Sequence, residues 1–284
     1  MTKTTPDKTT PAKTTPATTP ETPDSPARVT VERDGPTLLI GLNRPEKRNA
    51  ADVAMLEQLA LAYGELDRDA ELRVGVVFAH GDHFTGGLDL ADVVPRIGPQ
   101  GLAMVPEGGI HPWGMDGTRV RKPVVLAVQG TCLTLGVELA LASDIVIAAS
   151  DTVFAQLEVA RAILPFGGAT TRFAAAAGWG NAMRWMLTGD RFDAVEAHRM
   201  GLVQEIVPPG EQLARARELA SRIAAQAPLA VQATLANARL AVRDGLAAAE
   251  AMLPRELVRL AQTEDARIGM QAFLTRTEPE FVGR

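Results

Sequence analysis

With 284 residues, of which 46% are apolar and 22% charged, the chain can bury one large core or two small ones, which excludes a wholly disordered polypeptide. Its 29 basic and 34 acidic side chains leave a net charge of −5, so electrostatics gives no reason to expect nucleic acid or an anionic membrane as partner. The single cysteine, Cys132, excludes an intramolecular disulfide and a thiolate metal site and points to a reducing compartment.

Residues 1–27 repeat a Lys-Thr-Thr-Pro theme without an apolar stretch, the composition of a solvated, disordered tail rather than of a secretory signal. The most apolar run, 124–149, is broken by Gln129, Glu138 and Asp144, so no membrane span is expected and the location is expected to be cytoplasmic. Val29 and Val31, then Leu38, Ile40 and Leu42, alternate with other residues around Asp34-Gly35-Pro36 and predict a β-hairpin. Val53, Leu56, Leu59, Ala60 and Tyr63 recur at helical spacing and predict a helix over 52–67. A buried strand at 73–79 leads into a glycine-containing loop at 80–90.

A second unit of the same kind follows: strand 123–129, loop 130–135, helix 136–143 and strand 144–149. A short strand at 152–156 then gives way to an irregular stretch to Gly168, and another strand is expected at 202–207. Strands alternating with helices predict an α/β core over 28–207. Residues 211–275 are helical in period, so 208–284 reads as a helical module that lies over a partner.

Three features could carry chemistry. Glu138 is the only acid in 124–143, and its neighbours Val137, Leu139, Ala140 and Leu141 offer no solvated face; a carboxylate there needs a partner, a cavity or a proton. Glu158 sits between Leu157 and Val159 just after a strand, and could face Glu138 across one pocket. The loop Phe84-Thr85-Gly86-Gly87-Leu88-Asp89-Leu90 can expose backbone N–H groups to an anion or a developing oxyanion. The four histidines, His80, His83, His111 and His198, form no ligand pattern, and no metal is expected.

In this order and at these intervals, the motifs resemble the crotonase (enoyl-CoA hydratase/isomerase) superfamily over 28–284. The segment Leu42-Asn43-Arg44-Pro45-Glu46-Lys47-Arg48-Asn49-Ala50 resembles the family's first CoA-contacting stretch, and FTGGLDL its first oxyanion loop. The stretch 122–145 resembles the family's strand and helix with the second oxyanion donor and a glutamate, AQLEVARAILPFGGATTR the segment with the second glutamate, and AFLTRTEPEFVGR the closing helix and tail. The resemblance implies an α/β fold with a ββα spiral core and a C-terminal helical trimerisation module, assembled as a homotrimer or hexamer. It places Glu138 and Glu158 on the family's acid/base glutamates, and the N–H groups of Gly86 and Leu135 on its oxyanion donors. Gly87, Leu88 and Asp89 fall on the substrate-binding loop. Arg48 falls near the CoA phosphates, with Phe273 and Arg276 reaching the nucleotide end from a neighbouring subunit. Leu135, and Thr134 before it, stand where glycines are usual, and Ala91 stands where many members have a lysine.

The implied activity is hydration of an enoyl-CoA thioester, a hydro-lyase reaction in which coenzyme A is part of the substrate and no separate cofactor is needed. Isomerisation or another enolate chemistry is the alternative within the fold. A non-catalytic acyl-CoA-binding oligomer, with Leu135 closing the oxyanion site, is the alternative of another class. The loop His111-Pro112-Trp113-Gly114-Met115-Asp116-Gly117 falls where relatives shape the acyl pocket, so Trp113 either packs on the acyl group or closes the core.

Overall fold

The computed structural model describes Met1 and residues 27–284; the tail expected at 1–27 lies largely outside them. Strands β1 (Val29–Asp34) and β2 (Thr37–Leu42) form the expected antiparallel hairpin, with Val31 opposite Ile40. Helix α1 (Val53–Arg68) starts where Asp52 accepts the Met55 N–H at 2.9 Å, and its Leu56, Leu59 and Tyr63 are buried. Strand β3 (Val74–Ala79), the short helix α2 (Leu90–Val93) and strand β4 (Val124–Val128) follow. Strand β5 (Thr131–Leu133) occupies what the glycine at 130 suggests is only a loop, and helix α3 (Leu135–Ala142) begins one residue before Gly136.

Strands β6 (Ile145–Ala149) and β7 (Val153–Ala155) lead to a 3-10 turn at Glu158–Arg161. Helices α4 (Ala169–Ala177) and α5 (Trp179–Thr188), strand β8 (Arg191–Asp193), helix α6 (Ala194–Arg199) and strand β9 (Glu205–Val207) complete the α/β part. Helices α7 (Gln212–Ala224), α8 (Pro228–Asp244), α9 (Leu246–Ala261) and α10 (Glu264–Thr275) close the chain.

The strands form a six-stranded sheet, β1-β2-β3-β4-β6-β9, parallel beyond the first hairpin, and a three-stranded sheet, β5-β7-β8. The central strands are near-continuous apolar runs, and because successive side chains point to opposite faces the sheet is apolar on both. Leu39, Val76, Val125, Ala127 and Ile147 face α7, where Ala216, Ala220 and Ala224 let the helix approach, while Leu38, Ile40, Leu126, Val128 and Val146 face the main core. The expected division at 208 therefore falls before a helix seated on the sheet, and the helices without such a seat begin at α8, which buries no residue. No described helix is long and apolar enough to cross a membrane.

Candidate active site

The loop after β3 is tied to the loop before α1 by a buried asparagine. Asn49 donates to the carbonyls of His80 (2.9 Å) and His83 (2.8 Å) and accepts the Arg44 N–H at 2.6 Å, while its own carbonyl accepts Thr85 Oγ1 at 2.7 Å. The far side of the loop pairs with β5: Thr85 N–H donates to Thr131 O at 3.0 Å, and Leu133 N–H to Thr85 O at 3.1 Å. Because α3 follows β5 at once, this pairing sets residues 86–88 beside the first turn of α3.

Which N–H groups of the loop remain free follows from counting acceptors. Gly86 N–H donates to Arg48 O at 2.7 Å, Gly87 N–H to Thr85 Oγ1 at 3.1 Å, and Asp89 N–H to Ala51 O at 2.9 Å. Leu88 N–H has no protein acceptor among the described residues. The expectation that Gly86 supplies the loop's donor is thus corrected: its N–H is already spent on the Arg48 carbonyl, and the available donor is Leu88. Across from it, Leu135 N–H is free as the first amide of α3.

These groups face a cavity of about 200 Å³ whose wall includes Gly86, Leu88, Thr134, Leu135, Glu138 and Glu158. Gly87 and Asp89, expected among the substrate-binding residues, are not in that wall. A Cβ on Gly87 would collide with Thr134 Oγ1, and the Asp89 carboxylate turns away to pair with Arg44 Nη1 at 2.8 Å, which holds its pKa below the ordinary carboxylate range. Arg48 is exposed beside the loop, and an added Cβ on Gly86 would lie 3.6 Å from its carbonyl oxygen. Phe273 lies 79% exposed on the last helix, with Arg276 as that helix's C-terminal cap; neither reaches this chain's own cavity.

Glu138 and Glu158 are 2% and 5% exposed, and both line this one cavity. Burial raises the pKa of Glu138, opposed by the N–H groups of Ala169, Gly167 and Gly168 and by the charge of Arg172; the Ala169 amide, at the start of α4, donates to Oε1 at 3.1 Å. Glu158 has less help. Burial pushes it up to about 7, its own backbone N–H offsets part of that, and the Glu138 charge adds to it, while its Oε2 has no hydrogen-bond partner. The two environments set the protonation states apart, leaving Glu138 the better stabilised anion.

Leu135 does not close the site. It is 7% exposed, shares a small internal void with Met55, Leu56 and Leu59 and also lines the cavity, which stays open beside its unpaired N–H. The position that needs a glycine-like backbone is the one before it, where Thr134 has φ 49° and ψ −111°. Trp113 closes the core: it is 2% exposed, and its indole Nε1 donates to Leu135 O at 3.0 Å. Gly167 and the free Leu88 amide are site features the sequence left unread; the glycine pair at 167–168 ahead of a helix was the one local signal for the former.

Residues 32–284 match the enoyl-CoA hydratase/isomerase family. The chain belongs to that family. Enoyl-CoA hydratase EchA19 of Mycobacterium tuberculosis is 32% identical, over 89% of this chain and 96% of the relative. The 2,3-dehydroadipyl-CoA hydratase of Escherichia coli is also 32% identical, over 91% of this chain and all of its own length (100%). Among solved structures, a probable enoyl-CoA hydratase/isomerase from Mycobacterium abscessus superposes with a TM-score of 0.88 at 60% identity, covering 90% of this chain and 99% of that one. The crotonase fold and membership of an enzyme family of hydratases and isomerases are thereby established for this chain.

Proposed function

We propose that the chain is an enoyl-CoA hydratase that adds water across the 2,3 double bond of an acyl-CoA thioester, using Glu138 and Glu158 as its acid/base pair. The observation that carries this reading is the pair of buried carboxyls sharing one cavity with the free N–H groups of Leu88 and Leu135. The thioester oxygen accepts from those two amides, and charge that gathers on it during attack is stabilised there. Losing one such donor typically raises the barrier by about 3–4 kcal/mol.

Between the carboxyls, a water loses a proton to ionised Glu138 as its oxygen bonds to Cβ, and protonated Glu158 gives its proton to Cα. Proton exchange between the carboxyls and solvent restores the starting states. In this reading Arg48, exposed beside the loop, meets the CoA phosphates. Phe273 and Arg276, remote from this chain's cavity, serve a neighbouring copy in a trimer or hexamer.

Relatives at 32% identity named as hydratases support the reaction type. The second carboxyl favours hydration over isomerisation, which needs a single positioned base, and the open cavity beside Leu135 speaks against a closed, non-catalytic site. The test is loss of enoyl-thioester absorbance with short- and medium-chain 2-enoyl-CoAs. Glu138→Gln and Glu158→Gln are each expected to lower turnover by about two or more orders of magnitude in folded protein; undiminished turnover in either removes that residue from the mechanism.

A further inference from the structure

Hydration uses the two acids and the two amides, and it leaves two polar wall residues without a task, Thr134 and Arg161, of which only Arg161 carries a charge. Arg161 ends the turn that begins with Glu158, and it lines the cavity where the remaining wall is apolar: Leu90, Leu157, Ile163 and Phe166. Its guanidinium donates only to Ala160 O, on its own turn, at 3.3 Å, and it pairs with no carboxylate among the described residues. By contrast, Arg44, Arg121, Arg215 and Arg239 all hold carboxylates within 3 Å. Arg161 is exposed at the rim of this cavity, and a rim cation beside apolar side chains and without an acid matches an anion brought from outside.

That anion has two possible sources in an acyl-CoA, the phosphates or the acyl chain, and the placement favours the second. In the proposed reaction the thioester oxygen lies between the Leu88 and Leu135 amides, and Arg48 stands beside the Gly86 end of the same loop. Arg161 stands on the turn of Glu158, and its neighbours in the wall, Leu157, Ile163 and Phe166, are apolar, which suits an acyl chain rather than a pyrophosphate. A methyl-ended chain would leave the guanidinium idle. A carboxylate-ended chain would otherwise be repelled by the ionised Glu138.

We infer that Arg161 is a specificity-determining residue that recognises a carboxylate at the far end of the acyl chain, so that the preferred substrates are monothioesters of unsaturated dicarboxylic acids. This rests on the acyl-CoA reading above. It is tested by titration calorimetry of the full chain with the saturated thioesters adipyl-CoA and suberyl-CoA against hexanoyl-CoA and octanoyl-CoA. Binding of these does not depend on turnover. The carboxylate-ended compound is expected to bind about tenfold more tightly at one or both lengths, as a charge-assisted pair at a partly solvated site allows. Arg161→Leu should bring each pair to parity, while Arg161→Lys keeps part of the preference.

Equal affinities in the wild type at both lengths overturn the inference, as does a preference that survives Arg161→Leu. Equal weakening of all four compounds by Arg161→Leu would assign the residue to the CoA phosphates and also overturn it. Failure of every acyl-CoA to bind would overturn this inference and the hydratase reading together. A carboxylate preference without hydration of any 2-enoyl-CoA would uphold the specificity and remove only the hydratase reading.

Discussion

Glu138 lies so close under Gly167 that a methyl group added there would fall 2.5 Å from its Oε2 and 2.9 Å from its Cδ. The same methyl would stand 3.2 Å from Trp113 Cδ1, and that ring cannot retreat, because it is buried and its Nε1 is held by Leu135 O. In Gly167→Ala the carboxylate must therefore give way, and with it the bond from Ala169 N–H. Turnover is expected to fall by about tenfold or more and stability by roughly 1–3 kcal/mol. Steady-state kinetics beside urea unfolding checks both; unchanged turnover would show that Glu138 acts without this seat.

The unequal environments of the two carboxyls predict the pH profile. The proposed mechanism needs Glu158 protonated, so kcat/KM should decline as pH rises through about 7, and the Glu158→Gln variant should lose that limb of the profile along with most of its rate. On the acid side, activity should fall as Glu138 takes up its proton, at a pH above the ordinary carboxylate range because burial raises it. Stability follows the opposite logic from a salt-bridged acid. Between the ordinary value of 4.5 and about 7, folded Glu158 holds a proton that the unfolded chain has released, so its contribution weakens as pH rises across that window. Urea midpoints measured through the window should show that slope shrink in Glu158→Gln.

Much of this site is legible in the sequence because it is written in local patterns. The hairpin at 29–42, the Asp52-capped helix, and two acids in apolar surroundings at 138 and 158 all follow from periodicity and the cost of burying charge. What local pattern cannot supply is which amides remain free. Gly86 carries the expected glycine, yet its N–H is taken by Arg48 O, and Leu88 is free only because its neighbours pair with Thr85 and Ala51. Strand β5 is hidden for a related reason: with three residues it has no period to read, and it exists because Thr85 and β7 pair with it. Leu135 looks like an obstruction in the sequence, yet the cavity stays open beside it, and Leu135 also lines a small void shared with Met55 and Leu56.

Thr134 predicts a stabilising mutation. Threonine is β-branched and resists the left-handed region, yet here it has φ 49° and ψ −111°, caps nothing with its side chain, and leaves its buried Oγ1 without a partner. Strain of this kind costs on the order of 1–3 kcal/mol, and a glycine gives back part of the gain through unfolded-state entropy. Thr134→Gly should therefore raise stability by about 1 kcal/mol, seen as a higher urea midpoint. The hydroxyl also blocks any side chain at Gly87, so Gly87→Ala should cost less in the Thr134→Gly background than in the wild type, a coupling that a double-mutant cycle reads directly.

The last three helices carry apolar surface that the rest of the chain does not cover. Helix α8 buries no residue, and on α9 and α10 Leu246 is 72% exposed, Leu257 70%, Phe273 79% and Leu274 69%. Fully burying one such leucine is worth about 1.5–3 kcal/mol, so several together supply a strong drive to associate. Copies of the same chain are the occupants that the proposed trimer or hexamer requires, and light scattering of the wild type should show that assembly. Leu257→Asp combined with Leu274→Asp should dissociate it while the far-ultraviolet circular dichroism stays the same. Because Phe273 and Arg276 would then be withdrawn from the neighbouring site, the dissociated protein should show a raised KM for acyl-CoA with a smaller change in kcat. A monomeric wild type, or a dissociated variant with an unaltered KM, would detach those two residues from CoA binding.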